Sequence, residues 1–231
     1  MKIQIITSCT GKKLFAPANK LKKEDFRNIH NSELFNKIEK RVESFRTSAE
    51  KMYTGDQHIR LMEGVNYFRK HQPDSNLNLW ILSAGYGLIR SHKTIVPYEC
   101  TFRGMKREEL HKWADHLQIP TKIQKIFNSS TDLRLVLLGG SYLQALSLSN
   151  SCNYSSQTLF LISKSTNKYV KGNGNLRKII LKKDDLHRFH QPWIGLKGEI
   201  SKRILFKLAN EGSSFIHELE SPDFNLLDSL L

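Results

Sequence analysis

Cysteine is scarce in this 231-residue chain, with only Cys9, Cys100 and Cys152. An odd, widely spaced set with no CxxC argues against a disulfide framework and against a structural zinc site. Long apolar runs are missing too, since no stretch approaches the roughly 20 residues that span a bilayer. The first residues read as a strand and then a polar loop, without the apolar core and cleavage site of a signal peptide, so a cytoplasmic location is expected. There are no internal repeats and no long low-complexity tracts, which excludes a repeat architecture. The GxxxxGK[ST] spacing of a P-loop is absent. His187 and His190 form the closest metal-like pair among nine scattered histidines. One HxxH without further ligands does not make a zinc site, so neither metal nor cofactor is expected.

Acidic residues are the other shortage. Lys and Arg number 36 against 22 Asp and Glu, a formal net charge of +14. The last stretch, Ser213 to Leu231, carries Glu218, Glu220, Asp223 and Asp228 and no Lys or Arg, so the remainder is more basic still. Such a field draws polyanions, of which nucleic acid is the commonest. Hydrophobic residues at 39% and charged residues at 25% suit a globular protein with a sizeable core. The length suits one large domain, or one with an appendage.

The stretch from Leu79 to Glu99 organises the rest. Leu79, Trp80, Ile81 and Leu82 read as a buried strand that ends in Ser83-Ala84-Gly85-Tyr86-Gly87. Two glycines around a tyrosine suit a sharp turn or the close approach of a ligand. Further on, Pro97-Tyr98-Glu99 sets a carboxylate beside an aromatic ring on a proline-stiffened loop. Ligands of open α/β sheets sit beyond the carboxyl ends of strands, so this stretch reads as a pocket wall with Glu99 as the leading chemical group.

Lys2 to Thr7 reads as a first strand and runs into Ser8-Cys9-Thr10-Gly11-Lys12-Lys13, a loop able to bring N–H groups and cations to a phosphate. Helical patterns follow at Ser32–Phe45, Asp56–Lys70 and Arg107–Leu117. Tyr53, just before the second of these, is either a pocket residue or a core tyrosine. Leu133 to Leu138 reads as another buried strand, and Gly139-Gly140-Ser141-Tyr142 leads from it into a helix reaching about Leu148. Thr158 to Ile162 is the fourth strand and Leu176 to Leu181 a further candidate. Three strands thus end in small glycine-bearing loops, which suggests one composite site. Lys164 to Asn175 reads as a linker or long loop. A helix over Glu199–Asn210 carries Lys202, Arg203 and Lys207 on one side, with Lys197 just ahead of it, a face suited to phosphate contacts or simply to solvent. The division expected is an α/β core over 1–163, a basic nucleic-acid-contacting extension over 164–212, and an acidic tail over 213–231 that docks on the body or on a partner.

SCTGKK after the first strand, SAGYGLI followed by VPYE, and LLGGSY before a helix together resemble bacterial and phage proteins with an SA-x-YGL motif and a following PYD or PYE. These in turn resemble, distantly, the peroxide-stress protein and archaeosine-synthase core domains and, more remotely, the uracil-DNA glycosylases. The resemblance covers roughly Lys2 to Leu148. It implies a three-layer α/β sandwich around a mostly parallel sheet. It also implies nucleobase chemistry, including excision of modified, glucosylated cytosines from phage DNA in antiviral defence. The matched positions are Cys9, Lys12 and Lys13 in the first loop, Gly85 to Gly87 and Glu99 in the second, and Gly140 and Tyr142 in the third. The acid here is Glu99 where others carry Asp, and the water-activating motif of uracil glycosylases is not recognisable.

The leading expectation is therefore a DNA glycosylase. A flipped nucleotide would enter a pocket built from Cys9, Tyr53, Ser83, Gly85, Tyr86, Gly87, Gly140 and Tyr142. Tyr86, Tyr98 or Tyr142 would stack on its base, and Glu99 would stabilise the cationic sugar or activate water, with Tyr98 beside it. Lys12, Lys13, Lys197, Lys202 and Arg203 would hold phosphates. The alternatives are a deazaguanine-type transglycosylase working through a covalent intermediate and a non-catalytic nucleic-acid-binding stress protein.

Overall fold

The computed structural model describes residues 1–231. Its strands are β1 (Lys2–Ser8), β2 (Leu21–Lys22), β3 (Thr47–Ser48), β4 (Asn76–Ser83), β5 (Gly87–Arg90), β6 (Thr94–Ile95), β7 (Tyr98–Glu99), β8 (Leu133–Leu137), β9 (Asn153–Ser163) and β10 (Asn173–Leu181). Its helices are α1 (Ser32–Glu39), α2 (Ala49–Met52), α3 (Asp56–His71), α4 (Arg107–His116), α5 (Ile119–Phe127), α6 (Gly140–Ala145), α7 (Lys183–Arg188), α8 (Trp193–Glu211), α9 (Ser213–Glu220) and α10 (Leu226–Ser229). No helix is long and apolar enough to cross a membrane.

Six strands form one sheet in the order β10-β9-β8-β1-β4-β5. All neighbours pair in parallel except β4 with β5, an antiparallel hairpin. Because side chains alternate along a strand, Ile5 points into one core with Leu135 and Leu161, while Ile6 points into the other with Val136 and Phe160. Both faces are covered, which is why the strands read as continuous apolar runs. Helices α3, α8, α9 and α10 close one face, and α1, α4, α5 and α6 with the long connecting loops close the other. The result is a three-layer α/β sandwich around a mostly parallel sheet.

The expected boundary at residue 163 does not divide the structure. Residues 164–212 supply β10, which pairs with β9 over Leu176↔Thr158 to Leu181↔Ser163, and α8, which lies directly on α3. The helices touch at backbone distance: a Cβ on Gly64 would sit 2.7 Å from Lys202 Cα, and one on Gly198 only 2.3 Å from Gln57 O. The acidic tail docks on the body, with Leu226 and Leu230 buried in the same core. The Ser32–Phe45 pattern stays α-helical only to Glu39 and continues as a 3-10 turn over Lys40–Phe45, where Val42 leaves helical geometry.

The core also holds a cation. Arg134, in the middle of β8, is fully buried without a carboxylate. It donates to Gln4 Oε1, Thr158 Oγ1, Ile126 O and Ser129 O at 2.7–3.0 Å. It thereby supplies donors to carbonyls at and just past the end of α5 that the helix itself cannot satisfy, and burial lowers its pKa to about 10.

Candidate functional site

The connections leave β1 in opposite directions, to β4 on one side and later to β8 on the other. The crevice beyond the carboxyl ends of such strands is where ligands of open α/β sheets bind. The loops after β1 and β8 meet there: Cys9 Sγ lies 3.1 Å from Tyr142 Oη. The first loop is held against residues 52–55 by Leu14 N–H to Met52 O at 2.8 Å, Thr54 N–H to Lys12 O at 3.2 Å and Gly55 N–H to Thr10 Oγ1 at 3.2 Å. That clamp swings Lys13 inward, where its ammonium donates to Thr10 O at 3.3 Å and sits 4.4 Å from the centre of the Tyr98 ring. Burial lowers the Lys13 pKa, and the nearby Cys9 and Glu99 only partly oppose it.

The strand ends converge, but two of the three tyrosines expected to stack on a base, Tyr86 and Tyr98, are core residues, and so is the expected pocket residue Tyr53. Tyr53 and Tyr98 are 2% and 1% exposed. Their hydroxyls lie 2.9 Å apart, and Tyr98 Oη is 2.7 Å from Ser83 Oγ. Ser83 Oγ accepts in turn from Gly85 N–H and Tyr86 N–H, which ties down the turn after β4. Burial raises the pKa of both phenols, so they stay protonated. Tyr86 is also buried; it donates to Glu39 Oε1 at 2.7 Å and accepts from Val96 N–H at 3.2 Å.

The glycines of the same turn serve packing rather than ligand approach. A Cβ on Gly85 would come within 2.7 Å of the Phe26 ring. Gly87 has φ +71°, a conformation that side chains disfavour, and Leu117 O lies 2.9 Å from where its Cβ would be. Of the third loop, Gly140 opens α6, and Tyr142 is half-buried between Cys9 and an edge-on Phe102 ring at 5.2 Å.

A cleft of about 210 Å³ opens above this floor, lined by Gly11, Lys13, Phe15, Lys20, Glu99 and Cys100 among others. In β7 successive side chains point to opposite sides, so Tyr98 goes into the core and Glu99 comes out. Glu99 therefore stands at the mouth, its side chain 72% exposed, 3.0 Å from Lys20 Nζ. Parallel pairing of β2 with β7, Leu21↔Tyr98 and Lys22↔Glu99, puts Lys20 there. The Lys20 hydrogen bond and charge hold the Glu99 carboxyl below its ordinary pKa. Cys100 donates to Ala84 O at 3.2 Å, and burial pushes its thiol up to about 12, so it is no thiolate. Lys20 and Phe15 were not picked out from the sequence: no motif marks them, and only the β2–β7 register and the fold of the first loop bring them to the cleft. A larger hollow of about 1050 Å³ lies at the opposite sheet edge, lined by hydroxyl and amide groups together with Asp132, Arg177, His217 and Glu220, away from the strand ends where these groups meet.

The C-terminal cations expected on phosphates are spent inside the protein. Lys197 turns inward and donates to Leu138 O at 2.6 Å, and burial alone lowers its pKa to about 8. Lys202 bridges Glu199 at 2.8 Å and Glu63 at 3.2 Å. Arg203 pairs with Glu199 at 3.1 Å and donates to Leu230 O at 2.8 Å. Burial pushes the Glu199 carboxyl up, but its bonds to Lys202 and Arg203 prevail and hold it below the ordinary value. The face that reads as basic is thus an internal ion-pair network between α8 and α3. Lys12, by contrast, is exposed at the tip of the first loop.

A comparison with curated proteins returns no match. A family model matches residues 38–159, a span that runs from the end of α1 into β9 and holds Tyr53, Ser83 to Glu99, Gly140 and Tyr142 but not the Cys9–Lys13 loop. That is more than half of the chain, and the protein belongs to this family, DUF6884, a family of unknown function.

Proposed function

We propose that this protein is an N-glycosyl hydrolase acting on a base in nucleic acid, most readily a modified base in DNA. One observation carries the reading. A cleft of about 210 Å³ at the carboxyl edge of the sheet brings together a carboxylate, Glu99, and two amines, Lys13 and Lys20. It is smaller than the roughly 300–1,000 Å³ of pockets for drug-sized ligands, which suits a single extruded base. The net charge of +14 supports a polyanionic substrate.

Cleavage of an N-glycosidic bond builds positive charge on the sugar, and a carboxylate beside it lowers that barrier. Glu99 is suited to this role because Lys20 keeps it ionised; the same depressed pKa makes it a poor proton donor at neutral pH. Lys13 supplies a partly desolvated amine near the leaving base or its phosphate. Tyr98, buried beneath, is assigned to holding the floor of the cleft and not to stacking.

The test is mass spectrometry of bases released from unmodified DNA and from naturally modified phage DNAs. We expect release from at least one modified DNA, with Glu99→Gln slower by about 10²-fold or more, the range for loss of one charge-stabilising group. No free base and no abasic site on any substrate would overturn the proposal, and full activity of Glu99→Gln would remove Glu99 from it.

A further inference from the structure

A second cavity, about 310 Å³, lies on the other side of α6 from Cys9 and nothing above assigns it. Three separate segments build it. Arg107 and His111 project from the same side of α4, four residues apart. Leu143 to Leu148 form the end of α6 and the turn after it, with His111 Nδ1 3.1 Å from Ser147 Oγ. Lys168, Tyr169 and Lys171 come from the turn that follows β9.

The cavity is basic and holds no acid. Arg107, Lys168 and Lys171 each lack a carboxylate partner anywhere in the chain. The acids nearest in sequence are turned elsewhere: Glu108 pairs with Lys112 and Glu109 with Lys23, around a different hollow. The contrast with α8, whose Lys202 and Arg203 are both neutralised, is direct. An anion seated in the cavity would face these three cations and no counter-charge. Lys168 also lies over the Tyr169 ring, 5.2 Å from its centre, a contact that holds the amine at the cavity wall.

One short helix, α6, separates the cavity from the loop after β1 that leads to the proposed active cleft. Tyr142 on α6 touches Cys9, while its neighbours Leu143 and Gln144 line the cavity. Tyr169 packs on the start of the same helix, 3.9 Å from a Cβ placed on Gly140. We propose that Arg107, Lys168 and Lys171 form the phosphodiester-binding site of this protein and hold the nucleic-acid strand that flanks the nucleotide entering the cleft. The inference rests on the nucleic-acid reading above, but not on the chemistry assigned to Glu99.

The experiment is equilibrium binding of a fluorescent, unmodified DNA strand by anisotropy over a series of salt concentrations. It compares wild type, the triple variant Arg107→Ala/Lys168→Ala/Lys171→Ala, and a charge-matched control, Lys70→Ala/Lys178→Ala/Lys183→Ala, whose residues are exposed and lie outside the cavity. We expect the cavity variant to bind at least about 10-fold more weakly. Its dependence of log K on log salt should flatten by about 2, since each single-strand phosphate contact contributes roughly 0.7. The control should stay close to wild type. Equal affinity and equal slope for the cavity variant and wild type, or equal losses in variant and control, would overturn the proposal. If the triple variant melts early, Lys168→Gln and Lys171→Gln, both exposed, are read singly, each expected to weaken binding and flatten the slope by about 0.7; affinity and slope equal to wild type in both would overturn the proposal. Because the DNA is unmodified and no base release is scored, failure here leaves the hydrolase proposal to its own test, and absence of base release with intact binding leaves this site standing.

Discussion

Lys197→Met tests whether the amine at the head of α8 belongs to the interior or to a ligand. The Lys197 ammonium donates to Leu138 O at 2.6 Å, and burial lowers its pKa from 10.5 to about 8. Below pH 8 the folded and unfolded chains both hold the proton, so the contribution to pH dependence is flat. Between pH 8 and 10.5 the unfolded chain keeps the proton while the folded chain gives it up, so stability rises with pH across that window. The shift corresponds to at most about 3 kcal/mol at 1.36 kcal/mol per pH unit. Urea titrations of wild type and Lys197→Met at pH 7.5, 9 and 10.5 isolate this contribution, because every other titrating group is shared. Methionine fills a similar volume but leaves the buried Leu138 carbonyl without its donor, so the variant should be less stable than wild type by about 1–3 kcal/mol at pH 7.5. That gap should then widen by up to about 3 kcal/mol as the pH rises. Parallel stability curves would refute the assignment, as would a large loss of DNA affinity in the variant, which would return Lys197 to the binding surface.

Two further substitutions probe the scaffold under the site. Arg134→Met removes the donors to Ile126 O and Ser129 O inside the core, and unsatisfied buried acceptors cost about 1–3 kcal/mol each. A loss of at least about 3 kcal/mol in chemical denaturation is expected, and a near-neutral result would mean that α5 re-caps itself. Gly85→Ala pushes a methyl group to 2.7 Å from the Phe26 ring, which is already wedged against Tyr86 at 5.0 Å and Tyr98 at 5.4 Å between ring centres. Overpacking of this kind costs about 1–3 kcal/mol, read as a lowered thermal midpoint, and an unchanged midpoint would show that the turn has room for a ligand after all.

The layered α/β fold was legible because buried parallel strands and amphipathic helices leave strong local patterns. Lys2–Thr7, Leu133–Leu138 and Asp56–Lys70 each lie within two residues of the elements that form. Helix α5 was not singled out, nor was the cation in the middle of β8. The convergence of the loops after β1 and β8 followed from strand order alone, since parallel strands put all their carboxyl ends on one edge.

What local pattern could not convey was direction and partnership. Tyr98 and Glu99 are adjacent in sequence but point to opposite sides of β7, so one became floor and the other rim. Lys197, Lys202 and Arg203 looked free until other segments were packed against them, because an ion pair with Glu63, or a hydrogen bond to Leu138 or Leu230, is a property of two distant segments. The chain's own composition determined a basic, layered α/β protein with glycine-bearing turns at one sheet edge. Which of its cations remain available to an anion was decided only by tertiary packing, since charge is counted along the sequence but neutralised in space.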